Sequence, residues 1–315
     1  MCASQASAPS HRPRAVPLWI KFWGVRGSIP TPGPTTLFYG GNTSCVEVRA
    51  AGQIIILDAG TGLRLLGREL LAEYDEKPLD LTLLLTHTHW DHIQGLPFFL
   101  PVYQPRNHLR ILGYEGARVG LESVLSSQME SPFFPIGLNE VPANIRIEEL
   151  KDWAFDLNGV AVHAHAAFHP GVCVGYRLSI GGRSVAFFPD NELPSLEEAA
   201  RAATRAAGRT PVPATRGQPS LAEFVRGVDA LVMDSQYDAR EYEQHVGWGH
   251  GCVDRVVALA VEAQVKQLYL FHHDPDHDDA TIDRMVAHAQ KLAVARSSPL
   301  QVHAAREGLS VEISG

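Results

Sequence analysis

Residues 83–92 read LLLTHTHWDH, so three leucines lead directly into four potential metal ligands. Such a run is typical of a buried β-strand that ends in a polar turn. Because side chains alternate along a strand, His87 and His89 are expected to face the same way. Asp91 and His92 lie where the chain turns toward the next helix, and they can reach a second point nearby. Imidazole and carboxylate are common ligands of zinc and similar ions. The stretch predicts a metal site; the alternative is a polar loop that is merely rich in histidine.

Two later strands also end in potential ligands. Residues 268–271 (LYLF) run into His272 and His273, and adjacent strand residues point to opposite faces, so only one of the two can be a ligand. Residues 187–189 (FFP) end another apolar run and lead into Asp190, a further candidate ligand. The alternative for Asp190 is a helix cap, but the next predicted helix begins about five residues later, too far for a direct cap.

The composition narrows the function classes. The chain has 315 residues, 45% of them hydrophobic and 20% charged, with a formal net charge of −8. This acidic balance disfavours a protein that mainly grips nucleic-acid backbones. No apolar run approaches the roughly 18–20 residues that cross a bilayer, so we expect a cytoplasmic protein without a membrane partner. The four cysteines lack CxxC spacing, which argues against a disulfide scaffold. The 15 histidines are therefore the informative residues.

The order of predicted elements favours an α+β fold with mixed sheets rather than an alternating βαβ nucleotide-binding fold. Residues 1–16 are interpreted as a flexible extension and residues 17–315 as one domain. Short apolar runs bounded by turn residues predict strands, and helical spacing predicts helices. The predicted strands are 18–25, 44–50, 53–58, 81–85, 109–112, 267–271 and 311–313, with two hairpins between 153 and 190; the predicted helices are 62–74, 117–128, 196–207, 252–264 and 280–296.

The ligand pattern of residues 87–92 resembles the H-x-H-x-D-H signature of the metallo-β-lactamase superfamily, and the resemblance extends over nearly the whole chain. It implies an αββα sandwich, in which two mixed β-sheets pack face to face, are flanked by helices and hold metal ions at one edge. Asp58 matches an acidic residue that the superfamily carries at the end of an earlier strand. We interpret it as a group that orients a ligand histidine. A turn-forming Asp before Gly60 is the alternative.

The third ligand of the first metal is implied by the ribonuclease Z branch of this superfamily. The order of His169, Tyr176 and Arg177 looks like a motif of that branch, which points to His169 as the ligand. His163 and His165 are rivals, because alternation along the strand puts both on one sheet face. We expect them to have structural or supporting roles.

The remaining ligands also follow from the resemblance. Asp190 matches the bridging aspartate, and His272 rather than His273 completes the second site. His277 is expected on the surface or in a loop. The full implied ligand set is His87, His89, His169, Asp190, Asp91, His92 and His272.

His250 is interpreted as a catalytic residue rather than a ligand. Residues 247–252 (GWGHGC) precede a predicted helix and resemble a ribonuclease Z-like phosphodiesterase motif in which a histidine is followed by Ser-Thr. The resemblance implies that His250 protonates the leaving oxygen or stabilises charge on phosphate. The chain departs from the motif because Gly251 and Cys252 replace the hydroxyl pair. A histidine that caps the helix is the alternative.

These residues predict a metal-dependent phosphodiesterase with Asp91 and His250 as catalytic residues. Two divalent ions bridged by Asp190 would lower the pKa of a bound water toward about 7 and supply hydroxide to attack phosphorus. Zinc is the first choice of metal, with manganese and iron as alternatives. A small cyclic nucleotide is the preferred substrate. The interval between Asp190 and His250 has only a modest Ala/Arg-rich segment, whereas ribonuclease Z normally carries a long Gly/Pro-rich arm there.

Two other functions stay open: a tRNA 3′-processing endoribonuclease of the ribonuclease Z type, and a catalytically silent nucleotide-binding sensor. Substrate contacts are predicted at Asn42, Trp248 and Arg177. Residues 39–45 (YGGNTSC) look like bacterial cyclic-nucleotide-phosphodiesterase-like members, and Trp248 could stack on a base. The resemblance also leads us to expect a homodimer, and the net charge of −8 leads us to expect no stable nucleic-acid partner.

Overall fold

The protein is built around two seven-stranded β-sheets. The computed structural model describes residues 17–114, 120–195, 197–198 and 218–313. The predicted extension at 1–16 and nearly all of the predicted helix at 196–207 lie outside the described residues. In the described part of the chain, no helix is long and apolar enough to cross a membrane.

Both sheets combine an antiparallel half with a parallel half. The strands are β1 (Leu18–Gly24), β2 (Cys45–Ala50), β3 (Gln53–Leu57), β4 (Asp80–Leu85), β5 (His108–Gly113), β6 (Asn144–Glu149), β7 (Ala154–Leu157), β8 (Val160–Ala166), β9 (Val174–Ile180), β10 (Arg183–Phe188), β11 (Ala230–Asp234), β12 (Gln267–Phe271), β13 (Gln301–Ala304) and β14 (Ser310–Glu312). The first sheet has the order β14-β1-β2-β3-β4-β5-β6 and is parallel from β3 to β6. The second has the order β13-β12-β11-β10-β9-β8-β7 and is parallel from β10 to β13.

Most of the described helices pack on the outer faces of the two sheets. The described α-helices are α1 (Gly62–Tyr74), α2 (Trp90–Ile93), α3 (Leu121–Ser127), α4 (Leu221–Phe224), α5 (Ala239–His245), α6 (Val253–Glu262) and α7 (Asp279–Ala295). One apolar core lies between the sheets, a second joins the first sheet to α1 and α3, and a third joins the second sheet to α4, α6 and α7. The αββα sandwich expected from the resemblance is confirmed.

Strand β4 shows why the sequence at the centre of the fold is a run of leucines. Leu84 belongs to the core between the sheets, whereas Leu83 and Leu85 pack with Leu66 of α1 on the opposite face. Both faces of this parallel strand are therefore buried, which removes the alternation of polar and apolar residues that a half-exposed strand shows.

Most predicted elements are observed, with shifts at their ends. Helix α1 has the predicted bounds, the hairpin at Gly181 and Gly182 joins β9 to β10, and the two C-terminal helices differ by at most two residues from the prediction. Strands β6, β11 and β13 were missed, although every residue of β11 is buried. In β6 (NIRIEE), Ile145 and Ile147 alternate with charged residues, and the strand lies at the edge of its sheet. Such a short, mostly exposed strand gives a weak apolar signal.

The carboxyl ends of the parallel strands meet at one edge of the sandwich and place the candidate site there. Asp58 follows β3 and His87 lies two residues beyond β4. In the other sheet, Asp190 follows β10, Asp234 ends β11 and His272 follows β12. Asp58 and His272 have φ values of 62° and 60°, in the left-handed region, where the chain turns sharply away from each strand.

Candidate metal centre

Four side chains converge at this edge as a first donor set: His87, His89, His169 and Asp190. His169 Nε2 lies 3.0 Å from His89 Nδ1 and 3.5 Å from Asp190 Oδ2. His87 Nε2 lies 3.7 Å from the same carboxylate oxygen. Four nitrogen and oxygen donors around one point match the coordination that zinc prefers in proteins.

A second donor set lies beside the first and consists of Asp91, His92 and His272. His92 Nε2 and His272 Nε2 lie 3.1 Å and 3.2 Å from Asp91 Oδ2. The same two nitrogens lie 3.0 Å and 3.2 Å from Asp190 Oδ1. Asp190 therefore presents Oδ2 to the first set and Oδ1 to the second. This is the arrangement of a carboxylate that bridges two ions.

Three of the donor atoms are buried and have no hydrogen-bond partner among the described residues: His87 Nε2, His92 Nε2 and Asp190 Oδ1. An unpaired buried polar group costs roughly 1–3 kcal/mol, so three of them in one place are unusual. All three face the interior of the donor sets, where a cation would satisfy them. The residues present thus fit divalent metal ions at both sets.

The charges at the centre also suit metal binding. Burial lowers the pKa of His169 to about 3, so its imidazole is neutral and keeps a free lone pair. For His272, burial opposes protonation, but the carboxylates of Asp190 and Asp91 outweigh it and raise the pKa to about 9. Burial likewise disfavours ionised Asp190, yet the surrounding histidines hold its pKa well below the usual range. A cation that binds here would displace the proton of His272, and metal affinity should therefore fall at acidic pH.

Asp58 holds His92 from behind the second donor set. Its Oδ2 lies 2.7 Å from His92 Nδ1, which leaves Nε2 to face the donor set. The carboxylate also accepts hydrogen bonds from the Thr86 backbone N–H at 2.8 Å and from the Ser44 hydroxyl at 3.0 Å. The structure thus places Asp58 where a residue that orients a ligand histidine must lie.

We expect the substitution Asp58→Asn to lower zinc affinity by about 10–100-fold, because partners that orient ligands typically contribute this much. Competition with a chromophoric chelator measures the affinity. Asp80→Asn is the matched control, since Asp80 Oδ1 also binds a histidine, His108 Nδ1, at 2.8 Å, but on the exposed surface. Equal affinity in the two variants would contradict the role of Asp58.

Gly27 leaves the space that His272 occupies. A Cβ added at Gly27 would lie 2.3 Å from His272 Nδ1, a distance that forces the ring to move. At Gly33, by contrast, the nearest described atom to an added Cβ is Thr36 Oγ1 at 3.9 Å. We expect Gly27→Ala to lower turnover by about 100-fold, the order expected when a site residue shifts by about 1 Å. Gly33→Ala should stay within about twofold of wild type in the same assay, and parity between the variants would count against this packing argument.

His250 lies beside the donor sets with its own carboxylate partner. Its Nδ1 lies 2.9 Å from Asp234 Oδ2 and 3.9 Å from Asp190 Oδ2. Asp234 is buried and also accepts hydrogen bonds from the backbone N–H groups of Asn191 and Gln236. Because Asp234 occupies Nδ1, Nε2 is the ring nitrogen that can face a substrate. His250 also forms a third donor group with Asp190 and His272, so a role as a ligand needs a direct test.

The three predicted substrate contacts have different surroundings. Trp248 is 60% exposed in the loop before His250. Asn42 Nδ2 donates to Glu307 Oε2 at 3.0 Å, which ties it to the C-terminal segment. Arg177 is directed away from the metal centre, because its neighbour Tyr176 points between the sheets and alternation puts the guanidinium on the opposite face. There Nη1 of Arg177 donates to the Phe224 carbonyl at 2.8 Å.

The rival histidines also have other partners. His165 contacts the Pro219 carbonyl through Nε2 at 2.8 Å, and His163 is exposed on the same strand. His273 Nε2 contacts the Ala305 carbonyl at 2.9 Å. His277 lies in the loop between β12 and α7, as expected for a surface or loop residue, but its side chain is buried there, with Nε2 2.8 Å from Glu241 Oε1.

Two carboxylates at the site were missed by sequence reasoning. Asp234 ends an apolar strand (ALVMD), which is the same signal that identified Asp190 and could have found it. Glu192 follows Asp190 by two residues and gives no such signal. Its partners lie in the loop before His250, more than fifty residues later, so the contact depends on the folded structure.

The fold and the two donor sets define a metallo-hydrolase of the αββα class. Residues 53–273 match the β-lactamase superfamily domain. A ribonuclease Z of Lachnoclostridium phytofermentans is 24% identical over 278 residues, covering 80% of this chain and 86% of the relative. Among solved structures, the metallo-β-lactamase fold protein YhfI from Bacillus subtilis aligns with a TM-score of 0.64 at 17% identity, covering 94% and 99% of the two chains. The short form of human tRNase Z aligns with a TM-score of 0.60 at 17% identity, covering 94% and 100%.

The chain belongs to the β-lactamase superfamily, because the matched domain spans most of its length. Within that superfamily its sequence is similar to that of ribonuclease Z proteins. Together with the paired donor sets, this membership makes the protein a metal-dependent hydrolase.

Proposed function

We propose that the protein is a dinuclear, zinc-dependent phosphodiesterase that hydrolyses a small phosphodiester, with a cyclic nucleotide as the first candidate. The observation that carries the proposal is the division of Asp190 between the donor sets, with Oδ1 3.0 Å from His92 and Oδ2 3.5 Å from His169. Paired metal sites of this kind are typical of phosphatases and nucleases. When bound, two divalent ions would supply Lewis acidity and lower the pKa of a bound water.

The ligands divide into a nitrogen-rich and an oxygen-rich position. His87, His89 and His169 would hold one ion, and Asp91, His92 and His272 the other, with Asp190 shared. Asp91 Oδ2 also accepts the Ser28 backbone N–H at 2.8 Å, which fixes its orientation. A carboxylate held in this way can accept a proton from an attacking water, the role that we propose for Asp91 in addition to ligation.

His250 would deliver a proton to the leaving oxygen. The Asp234 carboxylate holds Nδ1 at 2.9 Å and leaves Nε2 as the ring nitrogen that would donate the proton. The ring stacks on His272 with centroids 4.9 Å apart and lies 5.2 Å from the His169 ring, so it faces both donor sets. A proton donor at this position suits departure of a ribose oxygen from phosphorus.

The rim of the site supports a substrate with a flat apolar part. Trp90 and Trp248 are 78% and 60% exposed, although each is adjacent in sequence to a residue of the metal centre. Trp90 follows His89, and Trp248 precedes Gly249, whose carbonyl contacts His169 Nδ1. Exposed aromatic side chains beside a phosphoryl-transfer site can stack on a nucleobase. We keep Trp248 as a substrate contact on this ground.

A tRNA 3′-processing endoribonuclease is the second candidate, favoured by the ribonuclease Z named above, whose sequence aligns over 86% of its length. The net charge of −8 argues for the smaller substrate, since binding a long RNA depends on neutralising many phosphates.

A product-resolved assay separates the two. We expect zinc-reconstituted protein to hydrolyse at least one member of a panel of cyclic mono- and dinucleotides, and to leave precursor tRNA intact at the same concentration. Asp190→Asn protein is the control for contaminating nucleases. Cleavage of the tRNA alone would contradict the proposed substrate and favour the second candidate. No cleavage of either, with full zinc occupancy, would favour a catalytically silent sensor.

A further inference from the structure

Glu192 is a buried carboxylate beside the metal centre that the proposed reaction does not use. It is 1% exposed. Its Oε1 accepts hydrogen bonds from the Tyr242 hydroxyl at 2.6 Å and from the Gly247 N–H at 2.8 Å. Its Oε2 accepts the Gly249 N–H at 2.8 Å. A buried carboxylate needs donors in place of water, and here backbone N–H groups of one loop supply most of them.

That loop, residues 247–249, touches both parts of the proposed machinery. The Gly249 carbonyl lies 2.9 Å from His169 Nδ1, so it accepts the ring N–H and leaves Nε2 to face the first donor set. Gly249 has a φ of 92°, and a Cβ there would lie 2.4 Å from His169 Nδ1. The next residue is His250, with its partner Asp234. The position of the loop therefore determines the position of a ligand and of the proton donor.

Glu192 also holds the chain on the other side of His169. Its backbone N–H donates to the Phe168 carbonyl at 2.9 Å. The neighbouring Asn191 accepts the Phe168 N–H through Oδ1 at 2.9 Å. The segment before His169 and the loop behind its ring are thus both attached to residues 191 and 192, directly after the bridging Asp190.

We propose that Glu192 is a positioning residue: by fixing the loop 247–249 it orients His169 through the Gly249 carbonyl and sets the place of His250. The part that concerns His250 rests on the proposed function. The part that concerns His169 needs only the metal centre. The negative charge and both carboxylate oxygens of Glu192 matter. A glutamine side chain has only one acceptor oxygen, and its NH₂ group would face N–H donors of the loop without an acceptor.

The test compares Glu192→Gln and Glu192→Asp with wild type. In metal-free protein, we expect amide hydrogen exchange in peptides covering residues 246–251 to become at least about tenfold faster in Glu192→Gln. Zinc affinity, measured by chelator competition, should fall by about 10–100-fold. Glu192→Asp keeps the charge but has a side chain that is one methylene shorter. It should therefore also speed up hydrogen exchange and weaken zinc binding, but by smaller factors than Glu192→Gln.

Glu47→Gln is the matched control. Glu47 is also 1% exposed and accepts hydrogen bonds from Trp23 Nε1 at 3.0 Å and Arg49 Nε at 2.6 Å, on β2 of the other sheet. The Glu47→Gln variant should have a lower free energy of unfolding, but the hydrogen exchange of residues 246–251 and the zinc affinity should stay as in wild type.

The proposal is overturned if Glu192→Gln keeps both quantities within twofold of wild type, or if Glu47→Gln changes them equally. If Glu192→Gln does not fold, Glu192→Asp decides by the same criteria. Neither measurement involves a substrate, so a protein without phosphodiesterase activity would refute the proposed function and still leave the role of Glu192 decided by its own result.

Discussion

Replacement of Asp190 by asparagine should lower kcat by about 10³–10⁴-fold. Paired metal ions contribute several kcal/mol to the stabilisation of a transition state, and each 1.36 kcal/mol corresponds to a factor of ten. Asn keeps the shape of the side chain but removes its charge and one of the two oxygens that the donor sets share. Turnover of a cyclic nucleotide or an activated phosphodiester, measured at saturating zinc, gives the effect.

The control for Asp190→Asn is Asp229→Asn. Asp229 is a second buried aspartate, but it lies at the opposite end of β11, where its Oδ2 accepts the Ser184 N–H at 2.7 Å and its Oδ1 pairs with Lys266. The Asp229→Asn variant should have a lower free energy of unfolding, whereas its kcat should stay near that of wild type. A kcat of Asp190→Asn within tenfold of wild type would mean that Asp190 does not bridge catalytic ions.

The second large effect is expected for His250→Ala, which should lower kcat by about 10²–10⁴-fold while zinc content stays at the wild-type value. The reason is that Asp234 occupies Nδ1 of His250, which fits a proton donor better than a ligand. A general acid must be protonated, so the wild-type rate should fall at alkaline pH. In His250→Ala this alkaline decline should be absent.

His288→Ala is the matched control, since His288 also pairs with an aspartate, Asp254, at 3.0 Å, but on the exposed surface. It should keep the rate and the pH profile of wild type. Loss of zinc from His250→Ala would instead make His250 a ligand, in line with the third donor group that it forms with Asp190 and His272.

Part of the metal centre could be anticipated from the strand pattern, because several candidate ligands lie just beyond strands, whereas His169 and the choice of His272 over His273 came from the family resemblance. Apolar runs such as LLLT before His87 and LYLF before His272 predict a buried strand and the position where it ends. In parallel strands those ends must gather at one edge, so residues far apart in sequence come together by topology alone. All seven residues expected as ligands lie in the two donor sets.

The residues that support the ligands could not be anticipated in the same way. Glu192 and Asp234 act through hydrogen bonds to a glycine loop and to His250, and such contacts depend on where a loop folds back. Arg177, which was predicted as a substrate contact, turns its guanidinium toward α4 for a different reason. A linear motif fixes which residues are present, whereas strand alternation decides on which face each side chain lies.

The central claim is that two metal ions share Asp190, and an anomalous-scattering crystal structure of zinc-reconstituted protein tests it most directly. The predicted result is two zinc peaks about 3.5–4 Å apart. His87, His89 and His169 should surround one, Asp91, His92 and His272 the other, and one oxygen of Asp190 should contact each. A single peak at saturating zinc, or two peaks with Asp190 bound to only one of them, would contradict the claim.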